Sequence, residues 1–181
     1  MHIEDGTGSG VKAEVTANNK LAVFSTNITL LEHLNESDGV VWNIPIDAVA
    51  PSGATKFFYL ANTGTEMLGI ARIVLASSTA GVFKFIKVTG TPSGGSNITA
   101  VPANLGSPVL PVATIQSGTN ITGLSDGGLL APLYLQANVT QVLDIPQIWY
   151  LPPNTALAIQ APASATVNGY VLVFNEYEGH D

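Results

Sequence analysis

Acid–base or metal chemistry in this 181-residue chain would have to come from three histidines, thirteen carboxylates and six lysines and arginines. Catalysis needs such groups to converge with shifted pKa values. His2 and His180 stand near the two ends of the sequence, and His33 stands beside Glu32. An imidazole next to a carboxylate can bind a metal or move a proton, but a pair without a third group is more commonly a partly exposed histidine. The carboxylates come as Glu4-Asp5, Glu36 with Asp38, and Glu176 with Glu178. Glu36-Ser37-Asp38-Gly39 has the oxygen density a calcium loop wants but lacks its spacing. Asp126-Gly127-Gly128 reads as a turn, because glycine permits positive φ.

Nucleophiles are equally sparse. The chain has no cysteine, which removes disulfides, thiolates and sulfur-ligated zinc. Gly6-Thr7-Gly8-Ser9-Gly10 has the wrong glycine spacing for a phosphate loop, no following lysine, and a strand pattern behind it. No serine sits in a Gly-x-Ser-x-Gly elbow before a helix. Five Asn-x-Ser/Thr triplets, at Asn27, Asn35, Asn97, Asn120 and Asn138, read as turn-to-strand joints. The expectation is a protein that is not an enzyme and that folds without metal or cofactor.

Composition removes further classes. Net charge is −7 and only 10% of residues are charged, against about 25% in average soluble domains. The six basic residues, Lys12, Lys20, Lys56, Arg72, Lys84 and Lys87, form no patch able to neutralise phosphates, so nucleic acid is not an expected partner. No run of 18 apolar residues offers a membrane helix, and residues 1–15 carry no basic region followed by an apolar run, so no secretory signal is expected.

The elements that must position any site are strands. Eighteen glycines and eleven prolines punctuate short runs of Val, Ile, Thr, Phe and Tyr. Residues 29–35 are the best helical turn. In the first segment Val11, Ala13 and Val15 alternate with Lys12, Glu14 and Thr16, Asn18-Asn19 suits a tight turn, and residues 21–26 would return. That predicts an N-terminal β-hairpin arm, residues 1–35, marginal alone. The body, residues 36–181, has candidate strands at 40–46, 55–61, 68–77, 82–88, 113–116, 133–137, 139–145, 155–161 and 166–174. Their spacing, without crossover helices, predicts an all-β, antiparallel β-sandwich of jelly-roll type.

Some of the apolar residues exceed what one core needs. Trp42 alternates with Ile44 and Ile46 and belongs inside. Trp149 and Tyr150 are adjacent, so their rings point to opposite faces of a strand, and one is left for an interface, a loop or a glycan. Residues 68–76 and 170–174 are apolar on both faces, where a two-layer sheet normally has one polar face. Residues 88–125 and 145–175 carry no charge, unlike an ordinary mixed-charge surface. Two readings account for these features: a local apolar excess or a loop over those faces with uncharged polar loops elsewhere, or a neighbouring subunit that covers them. The expected interface residues are Val11, Val15, Phe24, Trp149, Tyr150, Tyr170, Leu172 and Phe174.

Several of these stretches resemble a known group. Gly6-Thr7-Gly8-Ser9-Gly10-Val11-Lys12-Ala13-Glu14-Val15 followed by Asn18-Asn19-Lys20-Leu21 resembles an N-terminal signature of tailed-bacteriophage virion proteins. Pro102-Ala103-Asn104-Leu105-Gly106-Ser107, then Ala113-Thr114, Ile121-Thr122-Gly123-Leu124, and the run from Ile148-Trp149-Tyr150-Leu151-Pro152-Pro153-Asn154 to Ile159 are similar to the same group. The resemblance implies a structural virion protein that decorates or stabilises the capsid. It implies a jelly-roll body, a homotrimer, the major capsid protein or another virion protein as partner, and a place on the virion after assembly in the host cytoplasm. The alternative it leaves is a receptor- or glycan-binding head of a head or tail fibre.

Overall fold

The computed structural model describes residues 3–4, 12–13 and 30–176. The chain divides into two compact units, residues 1–30 and 31–181. In the first, β1 (Ile3–Glu4) pairs antiparallel with β2 (Lys12–Ala13), Ile3 opposite Ala13 and Glu4 opposite Lys12. β2 falls within the strand expected around Val11 and Val15. Those two residues, the Asn18-Asn19 turn, the returning strand 21–26 and Phe24 lie outside the described residues.

At the boundary stands α1 (Leu30–His33), where the helical turn was expected, and it runs on as a π-helical turn, Leu34–Asp38. Gly39 stops it. Its φ of 64° is left-handed, and its N–H donates to the Leu34 carbonyl. Then come β3 (Val41–Val49), β4 (Lys56–Asn62), β5 (Met67–Ser77), β6 (Gly81–Ser93), β7 (Ser96–Asn97), β8 (Val101–Pro102), β9 (Ala113–Ser117), β10 (Thr122–Leu135), β11 (Gln141–Leu151), β12 (Ala156–Gln160) and β13 (Val167–Glu176).

These strands form two antiparallel sheets. One has the order β11-β5-β13-β3-β8 and the other β10-β6-β12-β4-β9-β7. Their facing sides share one core. The first sheet supplies Trp42, Ile44, Ile73, Leu75, Val171 and Val173, and the second supplies Phe58, Leu60, Phe83, Phe85, Leu157 and Ile159, all essentially inaccessible. Each such side chain contributes about 1.5–3 kcal/mol by leaving water. Trp42 is fully buried as its alternation requires, and its Nε1 donates to the Val109 carbonyl at 2.8 Å. The rings of Phe57 and Phe83 meet edge to face at 6.0 Å, and Phe85 meets Trp149 of the opposite sheet at 5.7 Å. The fold is all-β and sandwich-like.

Three departures from the expected strands have local causes. Asp126-Gly127-Gly128 does not reverse the chain. It forms a register shift inside β10, where Gly128 at φ 143° absorbs the extra residue. β6 and β10 therefore pair from Gly81 opposite Leu135 to Ser93 opposite Thr122. β11 continues past Pro146 to Leu151. Asp144 faces Arg72 and Trp149 faces Ile70, so five steps on β11 match two on β5, an excursion of three extra residues.

Candidate functional site

Among the described residues no three His, Asp or Glu side chains gather as a metal site would require. Glu32 and His33 share α1, while Glu36 and Asp38 share the π-helical turn. Lys56 Nζ meets Asp126 Oδ1 at 2.8 Å, tying β4 to the bulge of β10. Tyr59 is buried in a small apolar cluster with Ile86, Val88, Ile121 and Ala158, and this burial raises its phenol above the ordinary 10.0.

The features that stand out are surfaces. In β13, Val171 and Val173 point to the core, so Tyr170, Leu172 and Phe174 point to the outer face of the five-stranded sheet. Phe174 is nevertheless fully buried. It lies opposite Gly69 of β5, whose missing Cβ leaves room for the ring, and Tyr150 of β11 caps that ring edge to face at 6.2 Å. Four residues back along β13, Val142, Val74, Tyr170 and Pro45 line up across β11, β5, β13 and β3. Val142 is 54% exposed and Tyr170 and Leu172 are half-buried. Trp149 turns the other way, inward onto Phe85. The adjacent aromatics thus split between the two faces.

The run 68–76 has a simpler explanation than a second apolar face. Val173 faces Ile70 while Leu172 faces Arg72, so Ala71 is an extra residue. The bulge shifts the inward set from Leu68 and Ile70 to Ile73 and Leu75. What remains outside on β5 is Met67, Gly69, Arg72, Val74 and Ala76, of which Met67 and Val74 are large apolar residues. The unusual outer face therefore belongs to β13 and its neighbours.

The uncharged tract 88–125 carries a second surface. Val101, Leu105, Val109, Leu110 and Val112 are all exposed, Leu105 at 89%. Their backbone is anchored. Val109 accepts from Trp42, Ser107 Oγ donates to the Gly39 carbonyl at 3.1 Å, and Asn104 Nδ2 donates to the Asn35 carbonyl at 3.2 Å. A pinned segment presents a fixed apolar relief to solvent, the kind of patch that marks association.

A cleft of about 380 Å³ opens between the two sheets where β11 turns into β12. Ile70, Trp149 and Leu151 line one side, Lys87 and Leu130 the other, and Pro152 and Thr155 form the end wall. Lys87 and Asn62 are not among the site residues expected from sequence, and the 101–112 relief was not expected as a surface, although residues 102–107 carry part of the resemblance. The relief had a signal, since it falls in the charge-free tract. Lys87 and Asn62 had none, because their roles arise from strand register. Compared with known proteins, the chain matches no family model, no curated protein and no solved structure.

Proposed function

We propose that this chain is a non-catalytic structural protein of a bacteriophage particle, a jelly-roll body that binds the capsid shell as a homo-oligomer, with a trimer as the working state. The observation that carries the reading is the strand order. Leaving aside β7, β8 and β9, which add at the sheet edges beyond β4 and β3, the strands of the two sheets in chain order are β3, β4, β5, β6, β10, β11, β12 and β13. The first pairs with the eighth, which pairs with the third, which pairs with the sixth. In the other sheet the order is second, seventh, fourth, fifth. That winding supports a jelly roll, an architecture found in viral capsid and lectin domains. Architecture alone does not assign function.

The surfaces add the second support. An anchored, exposed apolar relief at 101–112 and the Val142–Tyr170 row suit contact with other protein. An interface of about 800 Å² per partner needs such patches. The resemblance of residues 6–21 and 102–159 to phage virion proteins names the setting, and within the expected arm, residues 1–35, the part proposed to reach a neighbour or the shell is residues 1–30, because Leu34 belongs to the sandwich core. Gel densitometry of purified particles tests the role. A decoration protein is present at a level comparable with the shell subunit. A trace level points instead to a fibre head, and absence from the particle overturns the proposal.

A further inference from the structure

We propose that the cleft at the β11–β12 turn binds a small amphiphilic carboxylate, an aliphatic or flat apolar body bearing one acid group, with Lys87 as the partner of the acid. The cleft lies apart from the 101–112 relief and the Val142–Tyr170 row, although Trp149 and Tyr150 of its lining are among the expected interface residues.

The argument begins with the position of Lys87. Strand alternation in β6 places it on the same face as Phe83 and Phe85, both fully buried, and its neighbour across the ladder is Leu157, also fully buried. That face is the interior of the sandwich, where an ammonium is costly unless it reaches water or a counter-charge. Lys87 is exposed and lines the cleft, as a long amphipathic side chain on an apolar face must to keep its ammonium in water. Among the described residues no carboxylate pairs with it, in contrast to Lys56 with Asp126. On its other flank the edge strand offers Gly128, with open space where a Cβ would stand. The position therefore combines one cation, an open approach and an apolar floor.

The floor determines the body of the ligand. Ile70, Leu130, Trp149 and Leu151 supply aliphatic and indole surface, and the volume lies within the range of about 300–1,000 Å³ typical of small-molecule sites. Besides Lys87, the polar side chains of the lining are Thr155 and Tyr150, and the Tyr150 ring is packed against Phe174. The Thr155 hydroxyl already donates to the Pro152 carbonyl at 2.6 Å. A saccharide, with hydroxyls on every side, would lose its hydration without replacement here. An alkyl or aryl carboxylate loses water only from its apolar part and keeps a charge-assisted contact for the acid. The wall is also rigid, since Asn62 holds the Leu151 carbonyl and the Asn154 and Thr155 backbone.

The test is a titration of the full chain with octanoate, methyl octanoate and glucuronate, followed by ¹H–¹⁵N NMR at the Trp149 indole and the Leu130 and Thr155 amides. Octanoate is expected to give saturable shifts at these three places. Lys87→Met should weaken it at least about tenfold, and Lys87→Arg should keep it within about threefold. The methyl ester should bind like the Lys87→Met variant binds the acid. No saturation by about 10 mM, unchanged binding by Lys87→Met, shifts that map elsewhere, or tighter binding of glucuronate than of octanoate would each overturn the proposal.

Discussion

Asn62 donates from Nδ2 to the carbonyl of Leu151, 2.7 Å away and 89 residues on in sequence. The same amide donates to the Glu66 carbonyl at 2.7 Å, and its Oδ1 accepts from the Gly64 N–H at 3.0 Å. The Asn62 backbone adds two bonds, donating to Thr155 at 3.0 Å and accepting from Asn154 at 2.9 Å. A residue only 3% exposed thus satisfies its side-chain amide completely. It fastens the β4–β5 turn to the β11–β12 turn, which also walls the cleft.

Asn62→Ala should therefore destabilise the protein by about 2–4 kcal/mol, because it strands the buried Leu151 carbonyl and the part-buried Glu66 carbonyl and Gly64 N–H. Urea unfolding followed by tryptophan fluorescence measures this. A change under about 0.5 kcal/mol would mean the turns hold without it.

Gly169 should tolerate no side chain. Its φ is 150°, and a Cβ there would collide with the Val74 carbonyl of the adjacent strand. Neither the backbone nor a central strand can yield cheaply. Gly169→Ala is expected to cost about 3 kcal/mol or more, or to prevent folding. A variant as stable as the parent would contradict the register of β13 against β5.

Tyr59 sets an alkaline limit. Burial holds its phenol neutral to a higher pH than in the unfolded chain, where it titrates near 10.0. The unfolded state therefore releases its proton first. The associated stability is fully present below about pH 10 and is lost as pH rises through the raised folded value. Tyr59→Phe should remove that component, so parent and variant should diverge above pH 10 and run parallel below it. Parallel curves throughout would refute the assignment.

How much of this was legible beforehand differs by element. Strands dense in β-branched and aromatic residues, such as those holding Ile44, Phe58, Ile73 and Val171, are recognisable because local pattern and final burial agree. The first half of β10 is not, since Gly123, Asp126, Gly127 and Gly128 are turn residues that become strand by pairing with β6. The second half of β11 was hidden by Pro146. The opposite facing of Trp149 and Tyr150 follows from alternation alone. The bulge at Ala71 is a matter of register, and without it residues 68–76 look apolar on both faces. Lys87 and Asn62 acquire meaning from strands about seventy to ninety residues away, which no local pattern encodes.

The 101–112 relief gives a way to separate association from folding. Leu105→Asp and Leu110→Asp place charge on residues already in water, so each should change stability by less than about 0.5 kcal/mol. If the relief is a contact surface, the pair should shift the chain toward monomer, visible by light scattering. A double variant that keeps its mass would move the contact to the Val142–Tyr170 face.

The central claim is that this chain assembles with itself, and sedimentation velocity of the full chain at micromolar concentration tests it most directly. The account expects a species three times the 18.8 kDa chain mass, with a melting temperature that rises on concentration. A sharp monomer across the range, with a concentration-independent melting temperature, would contradict it.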